Sequence, residues 1–171
     1  NDWHFAHASK DGHRREVTDC EFSFFVSVRM MSRKILGMTD HIELPEGLVH
    51  TSFNGQYHGK KHVYTLPYAK RTTFKPDRVQ VEAVWNGMHV DALMALGEYQ
   101  LAIFFRCPDK PATYNYSSNK PENTGVLEID LTNCRELLYG HDRPKDVRFT
   151  TLLERFLIDM VYNKKWLFHP R

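Results

Sequence analysis

The chain has 171 residues, with 23 Lys and Arg against 21 Asp and Glu for a formal net charge of +2; it is 42% hydrophobic and 26% charged. This is the composition of a folded protein, too apolar for a disordered segment and long enough to bury a core without disulfide or metal staples. No run of eighteen apolar residues is present to form a membrane-spanning helix, and three cysteines (Cys20, Cys107 and Cys134) are odd in number and too few for a disulfide scaffold.

Residues 1–18 read as a polar N-terminal arm, with His4, His7 and His13 among Lys10, Arg14 and Arg15 and no apolar stretch of the signal-peptide kind. The remainder, 19–171, reads as a single β-rich domain. Cys20, Phe22, Phe24, Val26, Val28 and Met30 alternate with Glu21, Ser23, Phe25, Ser27, Arg29 and Met31, which predicts a long half-exposed strand whose other face is partly covered at Phe25 and Met31. Short strands are predicted over His41–Leu44 and Leu48–Phe53, then a hairpin signal at Asn54-Gly55 and a strand over His62–Leu66 that Pro67 ends. Ala69–Asp77 reads as a polar connection.

The strongest strand pair lies in Arg78–Cys107. Val79, Val81, Ala83 and Trp85 alternate along one strand and are expected on one face; Asn86-Gly87 follows, the dipeptide suited to two successive positive φ angles. Met88 to Asp91 continues as strand, while Ala92–Leu96, rich in Ala, Leu and Met before Gly97, reads as a helical turn. Tyr99–Arg106 is a second strong strand. Residues 107–124 form a long loop with three prolines, and Val126–Leu131 alternates again. A short helix is expected from Thr132-Asn133 to Gly140. The best helix spans about 151–162, where Thr151 and Glu154 have capping-box spacing and Leu152, Leu153, Phe156, Leu157, Met160 and Val161 form one stripe. The predicted fold class is therefore β-rich α+β: an antiparallel sheet, sandwich or partly closed barrel, with a C-terminal amphipathic helix.

No local pattern carries catalysis or binds a cofactor. Ten histidines occur, but no HExxH or CxxC, no Gly-x-Ser-x-Gly elbow and no glycine-rich phosphate loop. No catalytic residue, metal ligand or cofactor is assigned. Glu82, Asp91 and Glu98 flank the strong strands, and Glu82 is expected outward and solvated.

The sharpest charge feature is the segment 57–78, where Lys60, Lys61, Lys70, Arg71, Lys75 and Arg78 face a single acid, Asp77, with Tyr57, Tyr64, Tyr68 and Phe74 interleaved. Lys60, Lys61, Tyr68, Lys70, Arg71, Lys75 and Arg78 are the candidate partner-binding residues. The reading is a non-catalytic binding or assembly module, a domain of a larger intracellular protein, that recognises a protein or acidic peptide. The alternative is single-stranded nucleic acid bound through the same basic and aromatic residues; an enzyme or small-ligand barrel without a local motif comes third. Cysteine usage points to the intracellular location, against which stands the sequon Asn115-Tyr116-Ser117.

Overall fold

The computed structural model describes residues 15–54, 61–108 and 122–170. The elements in order are α1 (Arg15–Met38), β1 (Ile42–Leu44), β2 (Gly47–Asn54), β3 (Lys61–Ala69), β4 (Thr72–Phe74), β5 (Arg78–Trp85), β6 (Met88–Leu96), β7 (Tyr99–Arg106), β8 (Thr124–Asp130), α2 (Cys134–Tyr139), α3 (Phe149–Ile158) and β9 (Lys164–Phe168). Five strands form the main sheet in the order β5-β6-β7-β8-β9, while β1 pairs with β4 and β2 with β3 in two smaller antiparallel sheets. The fold is β-rich and sandwich-like, and no sheet among the described residues closes into a barrel.

The strand expected from Cys20 is instead part of α1. Its residues also satisfy a helical period: Phe25, Val28, Ser32 and Leu36 are buried, with Phe24, Met31 and Ile35 packed beside them. Apolar residues of both parities, Phe25 and Met31 among them, break the two-residue repeat, and the stripe runs on to Leu36, longer than a strand. Met30, which the strand reading turned inward, is exposed.

The three helices among the described residues bury apolar residues in one cluster, with Leu101, Ile103 and Phe105 of β7 and Leu127 and Ile129 of β8. On the opposite face a smaller cluster gathers Ala102, Phe104 and Val126 under Ala83, Trp85 and Val90. β7 and β8 are thus buried on both sides, which explains their near-continuous apolar sequence.

β7 and β8 run parallel, Leu101 opposite Gly125 and Phe105 opposite Ile129, where an all-antiparallel sheet was expected. A parallel pair needs the chain to return to its starting end, so the long segment after Cys107 is a crossover rather than a hairpin loop; residues 109–121 of that segment lie outside the described residues. Ala92–Leu96 is strand throughout. Its place between β5 and β7 overrides the helix propensity of Ala, Leu and Met. The Asn86-Gly87 turn forms as read, with φ of 49° and 76°.

α3 begins two residues before the expected cap, so Thr151 lies inside it and no capping box forms; Arg148 holds the N-cap position without a side-chain bond. The chain then turns into β9, a strand too short to show periodicity in sequence. Of the polar N-terminal arm, residues 15–18 belong to α1 and 1–14 lie outside the described residues.

Candidate functional site

β1 to β4 form one long antiparallel hairpin, bent where Pro45-Glu46 faces Lys70-Arg71. Leu44 stands opposite Thr72 below the bend, and Gly47 opposite Ala69 above it. Its root is anchored. Ile42 and Leu44 are in the core, the Trp166 indole N–H donates to the Pro45 carbonyl at 2.8 Å, and Lys164 Nζ donates to the carbonyls of Glu43 at 2.8 Å and Ile158 at 2.9 Å. The Tyr68 ring lies over Gly47, where any Cβ would collide with it, and meets the His169 ring edge-on at 5.8 Å.

Above the root, the β2–β3 ribbon stands clear of both cores. Leu48 to Thr51 and Val63 to Pro67 are all exposed, including Val63 at 64%, Leu66 at 53% and Tyr64 at 52%. The register puts Val49, Leu66, Thr51 and Tyr64 on one face; His50, Thr65 and Val63 lie on the other, with His50 Nδ1 bonded to Thr65 Oγ1 at 2.9 Å. Pro67 does not end β3. It sits beside a register shift opposite Leu48, in a strand with a free outer edge where its missing N–H is tolerated.

The described candidate partner-binding residues are spread along the hairpin and into β5. Lys60 lies outside the described residues. Lys61 opens β3 opposite Asn54, eight residues and roughly 26 Å of strand from the root. Lys70 and Arg71 are exposed at the bend, where Arg71 Nε is 3.5 Å from Glu43 Oε2. Thr73 donates to the same Glu43 carboxylate, and this bond first, then Arg71, holds its pKa below the ordinary glutamate value. Tyr68 is half-buried at the root. Lys75 is exposed between β4 and β5, and Arg78 is exposed at the start of β5 opposite Ala95. The ribbon's exposed apolar residues were missed because alternation shows which side chains share a face, not whether that face is covered.

A second polar constellation, also missed, lies on the main sheet. Arg33 of α1 donates to both Asp91 and Glu82; its Nε is 2.8 Å from Asp91 Oδ1. The other Asp91 oxygen accepts the Phe105 backbone N–H at 2.8 Å, where β6 and β7 have ceased to pair. Glu82, directly across the hairpin from Asp91, has a left-handed φ of 52°. Here the β5–β6 hairpin changes face: Val79 and Val81 pack with the helices, but Ala83 and Trp85 join the opposite cluster. The single face expected for these four residues is therefore split at Glu82, and that glutamate is ion-paired, although 68% exposed. With both oxygens of Asp91 engaged, this cluster is a structural clamp. No group of three or more His, Cys, Asp or Glu side chains among the described residues could hold a metal ion.

Burial, opposed by the charges of Glu43 and Asp159, lowers the Lys164 pKa to about 7; burial also raises the Cys134 thiol to about 12. The unfolded chain keeps its lysine proton up to an ordinary value of 10.5, so between pH 7 and 10.5 it binds more protons than the folded chain and stability rises with pH. Above the ordinary thiol value of 9.0 the unfolded Cys134 ionises while the folded one stays protonated, so its contribution falls. The urea midpoint is expected to climb from pH 7 to 9 and then level or decline. Lys164→Met should abolish the climb, and Cys134→Ser the decline; a flat profile in the parent would refute both assignments.

No helix of the described residues is long and apolar enough to cross a membrane. No protein-family model, curated protein or solved structure matches the chain.

Proposed function

We propose that this chain is a non-catalytic binding and assembly module that recognises a protein or peptide partner through the β2–β3 ribbon. The observation carrying this reading is the exposure of Leu48, Val49, Val63, Tyr64 and Leu66 on a ribbon whose root is fixed to the core. Exposed apolar side chains grouped on one element mark interaction surfaces, and a rigid root lowers the entropy lost when a partner orders that surface. Between Gly47 and Arg71 the sequence has Lys60, Lys61, Lys70 and Arg71 and no acidic residue, in a chain with 21 acids. An acidic protein surface complements that stretch. An intracellular setting fits the unbridged thiols of Cys107 and Cys134.

The same cations support the second reading, single-stranded nucleic-acid binding, with the exposed Tyr64 ring as a surface on which a base stacks. A partner captured from native extract, purified and titrated back, separates the two. Leu66→Glu is expected to weaken that protein by about tenfold or more with unchanged thermal unfolding, because a charge replaces an apolar contact. Unchanged affinity would remove the ribbon from the interface. Tight binding of single-stranded oligonucleotides that falls steeply with salt and ignores Leu66→Glu would favour the nucleic-acid reading.

A further inference from the structure

Three sheets leave several strand edges open, and they are not equivalent. The outer edge of β5 is interrupted by the left-handed Glu82 and carries Arg78. β9 contains Lys164 and Lys165, and its Trp166 is tied to Pro45. β3 contains Pro67 and begins with Lys61. β1 and β4 have three residues each. Charges, prolines, kinks and shortness are the devices that stop an edge from accepting another strand. β2 lacks the first two: Gly-Leu-Val-His-Thr-Ser-Phe-Asn holds no proline, lysine, arginine or acid over eight residues. Its one irregularity, the register shift, falls at Gly47/Leu48 beside the root. No described strand pairs with its outer side.

We infer that the outer edge of β2 is a strand-acceptor site for an extended acidic segment of the partner. This rests on the proposed binding role of the ribbon and states how the partner is held. Main-chain hydrogen bonds to residues 47–54 supply affinity that depends little on sequence, and side chains alternating along the added strand meet the Val49–Tyr64–Leu66 face. Charge selects the occupant. A second copy pairing β2 with β2 would bring together two acid-free ribbons, each with Lys61 opening β3 and Lys70 and Arg71 at the bend, and like charges oppose that assembly; an acidic strand is attracted by the same residues.

The test uses the full chain and a blocked peptide of about ten residues alternating Glu and Val, compared with its Lys-Val counterpart and with two versions N-methylated at every second residue in opposite phase. An added strand bonds through the amides of one phase only. The Glu-Val peptide should bind with backbone amide shifts confined to residues 47–54 and its neighbours. Methylation in one phase should weaken it by about tenfold or more and in the other leave it nearly unchanged, while the Lys-Val peptide should bind at least about tenfold more weakly. Equal loss or equal retention in both phases would overturn strand addition while leaving the ribbon's binding role standing. Absence of Glu-Val binding, together with a natural partner still sensitive to Leu66→Glu, would place the contact on the ribbon's face instead. A stable dimer that excess peptide does not dissociate would assign the edge to a second copy. Phase-selective peptide binding alongside a partner indifferent to Leu66→Glu would uphold the edge and refute the wider role.

Discussion

Arg33→Met is expected to lower stability by about 3–5 kcal/mol, because it leaves the Asp91 carboxylate buried and without its counter-charge. Asp91 is 3% exposed and cannot turn to water without giving up the Phe105 N–H. Glu82 contributes little to this figure: it is mostly in water, and Glu82→Ala should cost less than about 1 kcal/mol. The double variant Arg33→Met/Asp91→Leu should recover part of the loss, since two apolar groups replace two charges. Urea unfolding of the parent, Arg33→Met, Asp91→Leu and the double variant gives the coupling directly. An Arg33→Met midpoint equal to the parent's would show that the guanidinium does not neutralise Asp91.

Phe156→Ala is the second large effect, about 3–5 kcal/mol, from lost burial and the cavity left behind. Phe156 is 1% exposed among the residues that join α3 to β7 and β8. Phe24 gives the contrast. Taken as a strand residue it would be as costly to remove, but on α1 it is half-buried, edge-on to Phe25 at 5.1 Å and Tyr139 at 5.9 Å. Its truncation should cost about 1–2 kcal/mol. Equal losses at the two positions would contradict the packing of α1 described above.

What could be read in advance were elements with one dominant local signal. β7 and β8 have dense runs of strand-forming apolar residues and the Asn86-Gly87 turn a dipeptide with a single favoured geometry; α3 has a helical stripe in Leu152, Leu153, Phe156 and Leu157, although Met160 and Val161, read into it, lie beyond its end at Ile158. α1 failed because Phe24 and Val28 satisfy two periods at once, four residues being two strand repeats and about one helical turn, and only the later Ser32–Leu36 turns decide between them. The parallel pairing of β7 and β8 left no mark, since direction is set by a crossover whose sequence is not periodic. The Arg33–Asp91 clamp joins residues 58 positions apart, a relation no spacing rule can express. In the basic segment the charges were legible, but not that the whole length of β3 stands between Lys61 and Lys70.

The two bonds from β9 to the root of the ribbon each span 121 positions of chain, Lys164 to Glu43 and Trp166 to Pro45. Loop closure over that length is slow and can follow only after the intervening strands have assembled. During synthesis the ribbon's own local pairing can form early, but its direction is set only once β9 has emerged and docked. Until then an unguarded apolar strand edge is presented on a swinging stem, the state in which wrong pairing with neighbouring chains is easiest. The last strand of the main sheet therefore acts as a timing element, determining when the ribbon becomes a defined surface.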